Sequence, residues 1–148
     1  IGPCAAVLET ALGIGTVACR DGDATNEVKV ALQGFGNLSQ AARFGIQPAN
    51  QLKNALSGTG LQVHHLIEQR LASVLGQSET QARQWLSVAV TREEHRMFTN
   101  AWRSYIGYIY SRNPINTSTA TVDDIWLAAQ KIYADYPAIL NAVKEILF

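Results

Sequence analysis

Charge of one sign is what this sequence lacks: 12 Lys and Arg offset 12 Asp and Glu, for a net charge of zero. Broad electrostatic capture of nucleic acid normally needs a basic domain, so the balance argues against it and leaves room for a local basic groove. Cysteine is almost missing too. Cys4 and Cys19 are the only two, and both a disulfide in an exported protein and a pair of buried free thiols fit them. The least charged stretch, Ile1–Cys19, carries only Glu9 but is interrupted by Pro3, Gly13 and Gly15, so a membrane span of about 20 apolar residues is not expected. An initiator Met, a basic n-region and a signal-cleavage site are also lacking. The expectation is a chain that starts inside a longer polypeptide. Internal repeats and low-complexity tracts are absent.

What is present describes a globular chain. A hydrophobic fraction of 47% and a charged fraction of 16% over 148 residues suffice for one domain with a proper core. Residues 1–20 read as one apolar helix or two short ones, weakened at Gly13 and Gly15, and Asp21–Asn26 as a polar turn. Glu27–Phe35 is ambiguous between strand and helix. Ser39 is expected to cap a helix over SQAARFGI that breaks before Pro48, with a further short helix over ANQLKNAL.

Leu61–Ile67 is rich enough in apolar residues to be a strand. Strand parity then puts Gln62, His64, Leu66 and Glu68 on one face and Leu61, Val63, His65 and Ile67 on the other. Ser78 with Gln81 forms a capping box for a short helix, and Leu86–Val90 alternates as a half-buried strand able to pair with the first. Thr91 with Glu94 is a second capping box, opening a helix over TREEHRMFTNAWRSYIGYIYSR. Its inward stripe is His95, Phe98, Trp102, Tyr105 or Ile106, and Ile109. Thr121 with Asp124 is a third, for a helix burying Ile125, Ala129, Ile132 and Tyr136. Pro137 restarts a closing helix burying Ile139 or Leu140, Val143, and Ile146 or Leu147. The fold class is α+β and mostly helical. Residues 1–58 form a helical lead-in and residues 59–148 hold the functional core and C-terminal helices, together one compact domain.

All three histidines fall inside this core: His64 and His65 side by side, His95 in the first turn of the long helix. Imidazole is the commonest metal ligand and the default proton shuttle near neutral pH. On a regular strand His64 and His65 cannot both reach one ion. Either the strand ends there, or the two do different jobs. Glu68 and Arg70 lie close in sequence and either contact a phosphate or metal-bound water, or form a surface pair. Arg103 can grip a phosphate bidentately, while Glu94 reads as a cap partner and Trp102 as core.

A β-hairpin followed by a helix, with a histidine doublet on the first strand and a histidine at the helix start, resembles the ββα-metal, or HNH-type (His-Me finger), nuclease motif. More narrowly, HHLIEQRLA with SVAVTREEHRMFTNAW is similar to toxin domains at the C-termini of bacterial polymorphic toxins. The likeness is clearest over residues 60–103, and Ile1–Asn54 adds little to it. The resemblance implies that His64 and His95 bind one divalent metal ion (Mg, Mn, Zn or Ni) and that His65 is the general base. It also implies a nucleic-acid substrate with DNA favoured over RNA, a cognate immunity protein, and an upstream toxin polypeptide. The chain would be secreted by a bacterium within that larger toxin and act in the cytoplasm of the target cell. Two departures stand out. Leu86 and Ser87 occupy the place of the motif's middle Asn. Thr99 stands where a further histidine ligand is expected, with Asn100 beside it as an oxygen ligand, although the helix face favours Thr99. Two rival readings remain: a non-catalytic module stapled by zinc, and a metal-free RNase using paired histidines on the 2′-hydroxyl.

Overall fold

The computed structural model describes residues 34–148 together with two short strands upstream, β1 (Ala5–Val7) and β2 (Thr16–Ala18). These two pair antiparallel, with Ala6 opposite Val17. At residues 5–7 and 16–18 strands thus stand where a helix is expected, in keeping with the β-branched Val7, Thr16 and Val17, and the rest of residues 1–20 lies outside the described residues. Cys4, Cys19 and the polar stretch Asp21–Asn26 lie outside the described residues, so the choice between disulfide and thiols does too.

About half of the described residues are helical, around one small sheet. Helix α1 (Ser39–Phe44) leads into β3 (Gln47–Pro48) and α2 (Ala49–Ala55). Ser39 is the first helical residue rather than a cap, since Leu38 holds the N-cap position with no side-chain bond. Strand β4 (Gln62–His65) follows, then a 3-10 helix (Gln69–Leu75), α3 (Glu79–Ala82) and β5 (Leu86–Val90). The sheet has order β3–β5–β4 and is antiparallel throughout, with Gln62 opposite Val90 and His65 opposite Ser87. Three helices complete the chain: α4 (Arg92–Tyr105), α5 (Val122–Ile132) and α6 (Pro137–Leu147).

The capping boxes form as read. Ser78, Thr91 and Thr121 each accept the backbone N–H three residues on, and Gln81, Glu94 and Asp124 reach back to the cap N–H. Each box satisfies two otherwise orphaned donors, which fixes where a helix begins irrespective of distant contacts. The end of α4 differs from expectation. It stops at Tyr105, Ile106 leaves helical geometry, and Gly107 follows with no room for a Cβ beside Ser111. Phe98, Trp102 and Ile106 are buried as the stripe requires, whereas Tyr105 and Ile109 are exposed.

Strand β5 also departs from the half-buried reading, because Ser87 through Val90 are all buried. Val88 and Val90 enter the main core with Phe98, Trp102 and Tyr133. Ala89 joins Leu52 and Leu56 of α2 and its flank in a second, smaller cluster on the opposite face. An alternating strand becomes buried on both sides when a second layer covers its polar face, and α2 supplies that layer. Residues 34–58 are thereby part of the same fold as the histidine segment: Phe35, Leu38 and Ala41 also sit in the main core. No helix of the described residues is long and apolar enough to cross a membrane.

Candidate active site

Strand β4 ends on His65, and the doublet straddles that end. Parity sends Gln62 and His64 toward α4, while Val63 and His65 turn toward α2 and α3. His64, His65 and His95 nevertheless line one cavity of about 240 Å³, together with Glu68, Gln69 and Thr99. Termination of the strand is what lets neighbouring residues share it.

His64 is buried and stacks on Phe98, with ring centroids 4.8 Å apart and planes 17° from parallel. Its Nε2 lies 2.8 Å from the hydroxyl of Tyr133. The partners of that hydroxyl decide the proton. Tyr133 donates to the Leu66 carbonyl at 2.6 Å and accepts from the Trp102 indole N–H at 3.1 Å. A phenol has one hydrogen, a carbonyl only accepts and an indole only donates. His64 Nε2 must therefore carry the N–H and donate it to Tyr133, leaving Nδ1 with its lone pair. Burial, then repulsion from His95 and His65, lowers the His64 pKa to about 3. The ring is neutral at physiological pH. Burial likewise pushes the Tyr133 phenol far above its ordinary value, so it stays a hydrogen-bond donor.

His95 is held the same way from the other side. Its Nδ1 lies 2.6 Å from Gln62 Oε1, an acceptor, so Nδ1 carries the proton and Nε2 the lone pair. Burial lowers its pKa also. The His64 and His95 centroids are 5.7 Å apart and the rings meet edge to face at 67°. A metal–imidazole nitrogen bond is about 2.0–2.1 Å, so two rings sharing an ion have centroids up to roughly 6.5 Å apart. The observed spacing is within that reach. Each ring also has its other nitrogen tied to a protein acceptor, the arrangement that orients histidine ligands. The donor set therefore fits a divalent ion through two imidazoles. No group of three or more His, Cys, Asp or Glu side chains suited to a metal occurs among the described residues.

His65 is half-buried, with its pKa lowered chiefly by burial. Its Nε2 meets the Gln69 amide at 3.1 Å and the Arg83 carbonyl at 3.4 Å. With the Gln69 NH2 group facing the ring, the two contacts make opposite demands on one nitrogen. A half-turn of the near-symmetric amide would present Gln69 Oε1 instead, and one Nε2–H would then serve both oxygens and leave Nδ1 as the free base. Ser87, standing where the motif's Asn is expected, is buried opposite His65 but donates its hydroxyl to Gln47 O at 3.0 Å. Orientation of His65 falls to Gln69 and the Arg83 carbonyl.

Of the other residues singled out in the sequence, Glu68 and Thr99 reach the cavity and Asn100 does not. Asn100 is exposed and is not in the cavity wall, because regular α4 places residue i+4 from His95, Thr99, on that face. Thr99, and not Asn100, is therefore the residue of α4 that faces the cavity beside His95. Burial raises the Glu68 pKa against the opposing pull of Arg70 and Arg103. Arg70 bonds Glu68 through Nε at 2.9 Å and donates to Gly107 O at 3.0 Å, Thr117 Oγ1 at 2.7 Å and Ile106 O. Its donors are consumed within the protein, so it holds Glu68 and the chain after α4 in place and has none left for a phosphate. Arg103 is exposed and spends one nitrogen on Tyr108 Oη at 2.9 Å. Its remaining N–H groups are open.

Sequence reasoning missed Tyr133 and Gln69. It placed Gln62 on the His64 face without giving it a role, although a polar residue two positions before a strand histidine is a readable signal. Tyr133 carried no such signal. Searches of protein-family models, curated proteins and solved structures found nothing that matches this chain.

Proposed function

We propose that the histidine cavity is the active site of a metal-dependent endonuclease that hydrolyses phosphodiester bonds, with DNA the favoured substrate over RNA. The observation that carries this reading is the shared arrangement of three imidazoles. His64 and His95 each have one nitrogen engaged by a protein oxygen and the other unclaimed by any described hydrogen bond, and His65 lines the same cavity with its Nε2 between the Gln69 amide and the Arg83 carbonyl. The ββα-metal reading of β4, β5 and α4 rests on the same residues and on the resemblance of HHLIEQRLA and SVAVTREEHRMFTNAW to polymorphic-toxin nucleases.

In this reading His64 Nδ1 and His95 Nε2 hold the ion, which when bound stabilises negative charge on the scissile phosphate and the leaving oxygen. His65 Nδ1 takes a proton from the attacking water as its oxygen bonds to phosphorus and the bond to the departing sugar oxygen breaks. A lowered pKa keeps His65 unprotonated at neutral pH, and general-base catalysis of this kind contributes roughly 10²–10⁴ in rate. Gln69 and the Arg83 carbonyl fix the ring and stabilise the imidazolium that results. Glu68, held by Arg70, adds negative charge beside the same cavity, and Arg103 grips phosphate from the rim. By the same resemblance the chain acts as the C-terminal effector of a larger secreted bacterial toxin in the target cytoplasm, with a cognate immunity protein as its neutralising partner.

Plasmid nicking with added Mg, Mn, Zn or Ni tests the reading. Cleavage should vanish in EDTA and return with one of these ions. His65→Ala should lose at least about 10²-fold in rate with its circular dichroism and melting curve unchanged. Undiminished cleavage by folded His65→Ala removes the base assignment. Cleavage of RNA in EDTA, leaving cyclic phosphates, replaces the reading by a metal-free RNase.

A further inference from the structure

We propose that the substrate strand continues from the histidine cavity into a second one on the far side of His65, where Lys53 and Arg83 hold a backbone phosphate next to the scissile one. The inference rests on the nuclease reading and adds to it a part of the chain, helix α2, to which the motif gave no role.

The second cavity has a volume of about 300 Å³. Val63, His65 and Gln69 line both cavities, so the imidazole assigned as base stands on their common wall. The two differ in charge. The first contains Glu68, whereas the second contains Lys53 and Arg83 with no acidic residue in its lining. Both cationic side chains are exposed. Among the described residues the ion pair is Arg70 with Glu68, and neither Lys53 nor Arg83 is partnered by a described carboxylate.

Their positions follow from packing. Leu52 and Leu56 anchor α2 beneath Ala89 of β5, and β3, paired to the other edge of β5, fixes where that helix starts. Ala49, Asn50 and Lys53 then lie on the one face of α2 that meets the cavity. Arg83 follows α3, and its carbonyl is the group that approaches His65. Two basic side chains with no described carboxylate partner thus gather on one side of His65, in a protein whose net charge is zero. A locally basic track of this kind holds a phosphate backbone without reading its sequence.

The test uses the full chain carrying His65→Ala, so that oligonucleotide is bound and not cut. Fluorescent DNA oligonucleotides are titrated over a range of NaCl concentrations against this protein and against versions adding Lys53→Gln, Arg83→Gln or both. Lys131→Gln, on α5, serves as control. Each phosphate contact contributes about 0.7–0.9 to the slope of log affinity against log salt. The single changes should each reduce the slope by that amount, and the double by about twice as much, equally for unrelated sequences. In the active protein Lys53→Gln should raise KM and leave kcat unaltered, as expected for a contact equal in ground and transition states. Slopes matching the Lys131→Gln control overturn the groove while leaving the nuclease reading intact. Failure of the His65→Ala protein to bind any oligonucleotide overturns both.

Discussion

The two flanks of strand β4 carry the same residue type one position apart and treat it in opposite ways. On the α4 flank, His64 is dry, stacked on Phe98 and locked by a phenol that is itself locked by Leu66 and Trp102. On the α2 flank, His65 stands between two open cavities, with a long 3.4 Å contact to a backbone carbonyl and an adjustable amide as its supports. A ligand benefits from fixed direction, and a base needs access to water and room to change charge. The difference teaches that burial alone separates the two rings, and in the proposed reading it divides those tasks between them.

Exchanging the two histidines for alanine should separate the flanks most sharply. His65→Ala costs activity at unchanged stability, as above. His64→Ala empties a buried site and strands the Tyr133 network, at a cost of about 2–4 kcal/mol in urea denaturation. Equal stability losses for the two variants would erase the distinction.

Tyr133→Phe probes the locked flank without emptying it. Freed of its acceptor, His64 can turn or change tautomer, and metal affinity measured by calorimetry should fall about 10–100-fold, as is typical when the partner of a ligand is lost. Unchanged affinity would make Tyr133 an ordinary core residue.

The acid limb of stability sharpens the comparison further. His64 has its pKa lowered to about 3 in the fold, from 6.5. The unfolded chain therefore binds the proton more readily. In metal-free protein the stabilisation is complete above pH 6.5 and is lost as pH falls toward the folded value, by up to about 1.4 kcal/mol per pH unit for this buried ring. His65 and His95 shift in the same direction. Urea denaturation at about pH 7.5 and 5.5 should show that loss, and His64→Gln should flatten it. A wild-type profile flat over this range would contradict the burial argument.

A last contrast sets two arginines side by side. Arg70→Ala strands the Ile106 carbonyl and leaves Glu68 without its partner, while Gly107 O keeps the Thr117 N–H, and should cost about 2 kcal/mol. Arg103→Ala should shift stability by no more than about 0.5 kcal/mol and act on KM alone. A destabilised Arg103→Ala would mean that its contact with Tyr108 is structural.

Much of the site was legible because its signals are local. The three capping boxes and the inward turn of His95 depend on residues within a few positions of one another, and β4 and β5 each show a local strand pattern. Asn100 and Thr99 differ by a step of one residue, and the helix face count points to Thr99. The overlong α4 and the half-buried β5 went astray for a different reason: a buried turn at Gly107 ends the one, and α2 covers the other. Tyr133 lies 69 residues from His64, and its sequence neighbourhood carries nothing that announces a partner.

By itself the sequence determined the three helix starts marked by capping boxes, the strand parity that separates His64 from His65, and the gathering of all three imidazoles into one segment, since periodicity and capping act over a turn or two. Only the tertiary structure decided which nitrogen of His64 keeps its proton, that Arg70 is consumed internally, and that α2 walls a second cavity beside His65. Those outcomes depend on which distant acceptor or helix a side chain meets, and chain separation places no limit on that meeting once the core has closed.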